Sequence, residues 1–147
     1  PGLRALEKYA VLCGGGVNHR MGMYDRILIK DNHRAFWRNK GGGSLADAVQ
    51  AARLKCPGVP VEIEVETVDE MVEVIDAAPD WVLLDNMTEH SIRNSVQAAE
   101  ERCKIELSGG VTLETVEQLA KTGINAISVG ALTHSAPAAD FSLEFSE

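Results

Sequence analysis

Short aliphatic runs that stop abruptly at a polar residue recur along this chain, and amphipathic helical stretches separate them. That alternation constrains the fold more than any other property of the sequence. The clearest case is Ile27-Leu28-Ile29-Lys30-Asp31-Asn32-His33, where aliphatic residues give way to four polar ones. Consecutive apolar residues suit a strand buried on both faces, as in a parallel sheet covered by helices. The run predicts a strand over about residues 26–30. It puts Lys30 at the carboxyl end, where α/β folds place ligand chemistry. Taken alone, the stretch fits a strand and plain polar turn equally well, so recurrence decides.

Residues 3–13 read as a helix with Leu3, Leu6, Ala10 and Cys13 on one stripe, closed by Gly14. Gly14-Gly15-Gly16 then opens a loop that carries Val17-Asn18-His19-Arg20. Beyond the Ile27 run, Asn39-Lys40-Gly41-Gly42-Gly43 reads as an exposed loop. Ser44 caps a helix with Leu45, Ala48, Val49, Ala52 and Leu54 on its apolar side, and Pro57-Gly58 stops it. Val61-Glu62-Ile63-Glu64-Val65-Glu66 alternates at period two, so it is a strand with aliphatics on one face and glutamates on the other. On a solvent-facing sheet those glutamates are ordinary. Inside a barrel or at its mouth they require a partner cation.

Thr67-Val68-Asp69-Glu70 matches a capping box that opens a helix to about residue 77. Trp81-Val82-Leu83-Leu84 is a buried strand ending in Asp85-Asn86, and a helix follows over about residues 89–102. Ile105-Glu106-Leu107 is the next strand, ending in Ser108-Gly109-Gly110. A helix capped near Thr112 runs to Gly123, and Ala126-Ile127-Ser128-Val129 leads into Gly130. A turn over residues 132–135 precedes a last strand-like segment at 141–145.

This order means α/β, with parallel strands and right-handed crossovers. A TIM-like βα barrel is favoured over a doubly wound sheet, because polar residues end every strand rather than lining one crevice. Five strands, or six with the last, cannot close a barrel, so the expectation is a partial, open one with helices outside. Pro1 is not Met. With the low strand count, this leads us to expect that an N-terminal portion is absent and that residues 1–147 form one domain.

A net charge of −8 and a pI near 5.0 argue against nucleic acid as partner. They leave room for a small anion, since Lys, Arg and His can cluster locally. Cys13, Cys56 and Cys103 are odd in number and form no CxxC pattern, which suits reduced thiols in the cytoplasm. No apolar run approaches a membrane span and no signal peptide is visible.

Parallel strands point their carboxyl ends one way, so Lys30, Glu64, Asp85, Ser108-Gly109-Gly110 and Gly130 gather at one mouth. Lys30 is a cation for phosphate or carboxylate, or else an ion-pair partner of Glu64. Glu64 and Asp85 suit Mg²⁺ held through water, or a developing cation on a sugar; Asp85 also fits a helix N-cap. The glycines at two consecutive strand ends let a phosphate approach backbone N–H groups. His134 reaches the same place or caps a helix. His19-Arg20 offers a donor and a guanidinium fork for carboxylates, or belongs to a solvated loop. The reading is an enzyme for an anionic, phosphorylated, sugar-containing substrate, with Mg²⁺. No GxxxxGK[ST] loop, Rossmann fingerprint or nucleophile elbow is present.

These segments together resemble the motif series of the quinolinate phosphoribosyltransferases. The resemblance rests on Cys13-Gly14-Gly15-Gly16-Val17-Asn18-His19-Arg20, Leu28-Ile29-Lys30-Asp31-Asn32-His33, Glu62-Ile63-Glu64-Val65-Glu66, Leu84-Asp85-Asn86-Met87, Leu107-Ser108-Gly109-Gly110 and Ser128-Val129-Gly130-Ala131-Leu132-Thr133-His134-Ser135. It implies a type II phosphoribosyltransferase that converts quinolinate and phosphoribosyl pyrophosphate into nicotinate mononucleotide, pyrophosphate and CO₂, with Mg²⁺. It further implies that His19, Arg20 and Lys30 bind quinolinate carboxylates and phosphoribosyl pyrophosphate. Glu64 and Asp85 then lie near ribose and metal, and Ser108, Gly109, Gly130 and His134 form the phosphate cradle.

Members of that family also carry an N-terminal domain, a Thr-Arg-Lys-Thr motif before a segment like Pro1-Gly2-Leu3-Arg4, and a dimer that shares active sites. The chain supplies no such Arg and Lys ahead of Pro1. Other readings stay open: a relative of the same fold with a different acceptor, a fragment inactive without its N-terminal part, and a catalytically dead binding or assembly module.

Overall fold

The computed structural model describes residues 2–145. Pro1, on which the expectation of a preceding segment rests, lies outside the described residues, as do Ser146 and Glu147. In chain order the elements are α1 (Arg4–Cys13), β1 (Ile27–Ile29), α2 (Asp31–Asn39), α3 (Leu45–Lys55), β2 (Val61–Val65) and α4 (Val68–Ile75). They continue as β3 (Trp81–Asp85), α5 (Glu89–Ala99), β4 (Lys104–Ser108), α6 (Val116–Ala120), β5 (Ala126–Ile127) and α7 (Ala131–His134). The five strands form one sheet in the order β1-β2-β3-β4-β5, every neighbouring pair parallel. A doubly wound sheet reverses its strand order at a switch point. Here the order never reverses, as in a barrel, and β1 and β5 are left as open edges.

Strand register assigns each side chain to a face, since partners across a parallel ladder point the same way. Leu28, Glu62, Trp81 and Lys104 form one row; Glu64, Leu83, Glu106 and Ala126 form the next; Asp85 and Ser108 form the last. The opposite face carries Ile29, Val61, Ile63, Val65, Val82, Leu84, Ile105 and Leu107. These pack in one core with Leu45 and Val49 of α3, Met71, Val74 and Ile75 of α4, and Ile92 of α5. Burying each of the larger aliphatic side chains contributes about 1.5–3 kcal/mol. The helices therefore cover one face, and the charged residues line the other.

The helix caps follow the local chemistry. Ser44, Thr67 and Thr88 each accept an N–H from the third residue onward, at Asp47, Glu70 and Ser91. Thr88, not Asp85, caps α5, which removes the capping alternative for Asp85.

Three sequence expectations change. The polar stretch after Lys30 is a helix, α2, rather than a turn. His33 Nδ1 accepts the Lys30 N–H at 3.0 Å, and the buried Arg34 ties α2 to the Glu64 carbonyl at 3.2 Å and to the Glu70 carboxylate. Those contacts replace the apolar stripe that a helix normally announces. Second, α1 forms as expected but buries none of its residues, so Leu3, Leu6 and Leu12 stand exposed. Third, residues 141–145 are not a strand. Phe141 and Phe145 are each 90% exposed, and an alternating segment without a ladder partner has nowhere to place its backbone hydrogen bonds.

Candidate active site

The inner face of the sheet is built in layers. Near the carboxyl edge, Lys30 Nζ stands 3.9 Å from Glu64 Oε2, and the Asp31 N–H reaches Glu64 Oε1 at 3.4 Å. The start of α2 thus delivers both a side-chain cation and a backbone donor to one carboxylate. Burial lifts the Glu64 carboxyl above its ordinary range; Asp31 and Lys30 offset part of the shift, and the Asp85 charge adds to it. A carboxylate in that condition is held ready for a positive neighbour. Asp85 ends the adjacent strand beside Ser108, and its Oδ2 accepts from the Asn86 side chain at 2.8 Å.

Next to this pair, Glu62 one row deeper and Glu106 in the row of Glu64 join a compact cluster of opposite charges. Glu62 Oε2 meets His19 Nε2 at 2.9 Å and Arg26 at 3.2 Å. Glu106 faces the same two groups at 3.5 and 3.6 Å and accepts the Ser128 hydroxyl. Arg26 lies over the Trp81 ring, 4.9 Å from its centroid. Burial opposes the Glu62 charge, but His19 and Arg26 outweigh it and hold that carboxyl below its usual range. Burial and the nearby Glu62 charge instead push Glu106 upward, against the Ser128 hydroxyl and His19. His19, Glu62 and Glu106 have metal-ligand chemistry and lie close together, but Arg26 already supplies their cation.

The rim is glycine-rich for steric reasons. Gly109 adopts φ +96°, and a Cβ there would collide with the Asn86 side chain. At Gly130 the backbone is ordinary, but a Cβ would press on the His134 ring, 3.1 Å from Nε2. His134 therefore folds back over Gly130, with Nδ1 2.7 Å from the Ser135 hydroxyl. Because α7 is a single turn, backbone N–H groups rather than a helix dipole are what this rim offers an anion.

The structure thus brings Lys30 to Glu64, sets Asp85 beside Ser108, and joins Gly130 to His134. His19 is held by Glu62 in the deeper layer rather than in a solvated loop. Arg20 does not join a carboxylate cluster: its guanidinium donates to the Arg26 carbonyl at 3.3 Å and braces the loop. Sequence reasoning missed Arg26, Glu106 and Ser128. The available signal was a lone glutamate between Ile105 and Leu107, the same placement as Glu62 and Glu64 in β2.

Two carboxylates on neighbouring strand ends are hard oxygen donors, and the Asp85 charge adds to the upward shift of Glu64. That donor set fits Mg²⁺, which takes one or two carboxylates and completes its shell with water and phosphate.

Fold and site together define a partial βα barrel with paired charges inside and a glycine rim open to an anion. The chain belongs to the quinolinate phosphoribosyl transferase family: the model for that family's C-terminal domain matches residues 1–144. It is 43% identical over 147 residues to the nicotinate-nucleotide pyrophosphorylase (carboxylating) of Mycobacterium leprae, covering 98% of this chain and 50% of that protein. The crystal structure of NadC from Streptococcus pyogenes matches with a TM-score of 0.88 at 38% identity, over 99% of this chain and 50% of that one. The nicotinate-nucleotide pyrophosphorylase of Francisella tularensis matches at 40% identity with a TM-score of 0.84, over 95% of this chain and 48% of that one. The chain spans about half the length of the relatives it matches.

Proposed function

We propose that this chain carries the inner face of a quinolinate phosphoribosyltransferase of NAD biosynthesis. The observation that carries the reading is the pair at the strand ends: a cation, Lys30, against a carboxylate, Glu64, whose burial and neighbour Asp85 make it favour positive charge. The reaction makes both kinds of demand at once. Quinolinate and phosphoribosyl pyrophosphate are anions, while the ribose carbon becomes cationic as pyrophosphate leaves.

In this mechanism His19, Arg20 and Lys30 hold the two quinolinate carboxylates and the pyrophosphate, aligning the ring nitrogen with the ribose carbon. Arg20 swings from its carbonyl contact to do so. The ring nitrogen forms the new C–N bond as the C–O bond to pyrophosphate breaks. Glu64 and Asp85 stabilise the positive charge that develops between those events. The quaternary nitrogen then accepts negative charge at ring position 2, CO₂ departs, and a solvent proton takes its place. Ser108, Gly109, Gly130 and His134 cradle the remaining phosphate. Glu64 and Asp85 would also hold Mg²⁺, which when bound would screen pyrophosphate charge.

The proposal includes a remaining portion of the same protein, supported by the half-length match to relatives. It includes a homo-oligomer of at least two copies, supported by the exposed apolar residues of α1. The chain is read as one domain of a cytoplasmic protein, supported by its three free thiols. No helix among the described residues is long and apolar enough to cross a membrane.

The test is to supply the whole protein with phosphoribosyl pyrophosphate and either quinolinate or nicotinate. Nicotinate mononucleotide from quinolinate alone supports the reading. Turnover with another acceptor and no competition by quinolinate would instead make this a relative of different specificity.

A further inference from the structure

The deeper carboxylate, Glu62, lies below the residues that meet the substrate, yet it is fully buried and directed at His19. Taking a carboxylate out of water is costly unless it is matched, and here it is matched at one oxygen only. Oε2 receives both His19 and Arg26, whereas Oε1 has no partner. The oxygen that is engaged is the one that faces His19, at 2.9 Å.

We infer that Glu62, fixed by Arg26, is a positioning residue that locks His19 with its Nε2–H donated into the sheet and Nδ1 turned to the substrate. This rests on the proposed quinolinate site and deepens it. The supporting geometry comes from several elements. Arg26 is immobilised by stacking on Trp81, which adjoins Glu62 in strand register. Glu106, from β4, sits 3.5 Å from the same ring nitrogen and is oriented by Ser128. Asn18 anchors the loop through the Lys8 carbonyl at 3.0 Å, so the backbone of His19 is held as well. Among the described residues no hydrogen bond engages His19 Nδ1, which leaves it as the nitrogen available to a ligand.

The chemical consequence follows from the imidazole itself. With Nε2 committed to Glu62, a ligand carboxylate can take Nδ1 only as a second N–H acceptor. The ring then becomes an imidazolium between two carboxylates, one from the protein and one from the substrate. The arrangement selects an acid over an amide or ester at that position. Without Glu62 the ring is free to present either nitrogen, and that selection is lost.

The first measurement needs no variant. Nitrogen-15 NMR of the histidine-labelled whole protein, at a pH where the ring is neutral, should show His19 protonated at Nε2 and bare at Nδ1. The opposite tautomer overturns the inference. Adding quinolinate should bring both ring nitrogens into the protonated range, and an unchanged Nδ1 overturns it too. In Glu62→Gln the tautomers should mix and the KM for quinolinate should rise roughly tenfold or more, with the KM for phosphoribosyl pyrophosphate nearly unchanged. Equal loss in both KM values would mean a merely structural role and overturns the inference. A wild type that forms no nicotinate mononucleotide but holds the Nε2–H tautomer would set aside the proposed reaction while upholding the positioning.

Discussion

Lys30 and Glu64 stand 3.9 Å apart at the carboxyl ends of β1 and β2, half-exposed cation against buried carboxylate. Their separation is too long for a tight ion pair, and the Asp31 N–H shares the same carboxylate. A pair held in this way is easily opened by an anion that takes Lys30. Removing the cation should therefore affect ligand binding more than folding.

Replacing the carboxylate should cost activity without costing stability. Because Glu64 titrates above its ordinary value, the folded protein disfavours its charge, and Glu64→Gln should unfold at equal or higher temperature at neutral pH while losing turnover. A thermal melt paired with an activity assay checks both arms. A clear drop in melting temperature would contradict this view of Glu64.

The two carboxylates that share His19 and Arg26 give opposite pH signatures. Glu62 is held below the ordinary 4.5, so its contribution is present above that value and is lost as pH falls through the lower, folded-state value. Glu106 is raised above 4.5, so the folded state binds the extra proton and the contribution of Glu106 declines as pH rises through its folded-state value. Urea unfolding of Glu106→Gln against wild type, between about pH 4 and about pH 6, should therefore move in favour of the variant as pH rises. Movement the other way would contradict the assignment.

Arg34 is 6% exposed and joins α2 to the Glu64 carbonyl and the Glu70 carboxylate. Arg34→Ala leaves the part-buried Glu70 with only the Glu66 N–H and should cost about 1.5–3 kcal/mol of unfolding free energy, read by denaturant titration. It should also weaken binding at Lys30, because α2 begins there.

The two rim glycines should separate stability from binding. Gly109→Ala meets both an unfavourable φ and the Asn86 side chain, and should lower stability by about 1–3 kcal/mol. Gly130→Ala keeps an allowed backbone and meets only the His134 ring, so it should leave the melting temperature nearly unchanged. It should instead raise the KM for phosphoribosyl pyrophosphate by displacing that ring.

Much of this arrangement can be read from the chain directly, for physical reasons. The alternation of Val61 to Glu66 predicts a strand with acidic residues on one face, and Glu62 and Glu64 do meet cations there while, among the described residues, the exposed Glu66 does not. Glu106 escaped because three residues are too few to display a period. Arg26 escaped because its partners lie on strands far along the chain, which no local pattern can reveal. The helix α2 was hidden because its anchors are a buried arginine and a histidine ring rather than an apolar stripe. Residues 141–145 carry the alternation of a strand, but alternation describes faces and cannot supply a neighbouring edge.

The most direct measurement uses quinolinate labelled with carbon-14 in its 2-carboxylate. The whole protein is incubated with labelled quinolinate, phosphoribosyl pyrophosphate and Mg²⁺, as wild type and as Lys30→Ala. The account predicts labelled CO₂ and pyrophosphate released one for one with nicotinate mononucleotide, falling by roughly a hundredfold or more in the variant, about 2.7 kcal/mol of lost transition-state stabilisation. Wild-type protein that releases no CO₂, or a Lys30→Ala variant that turns over undiminished, would contradict it.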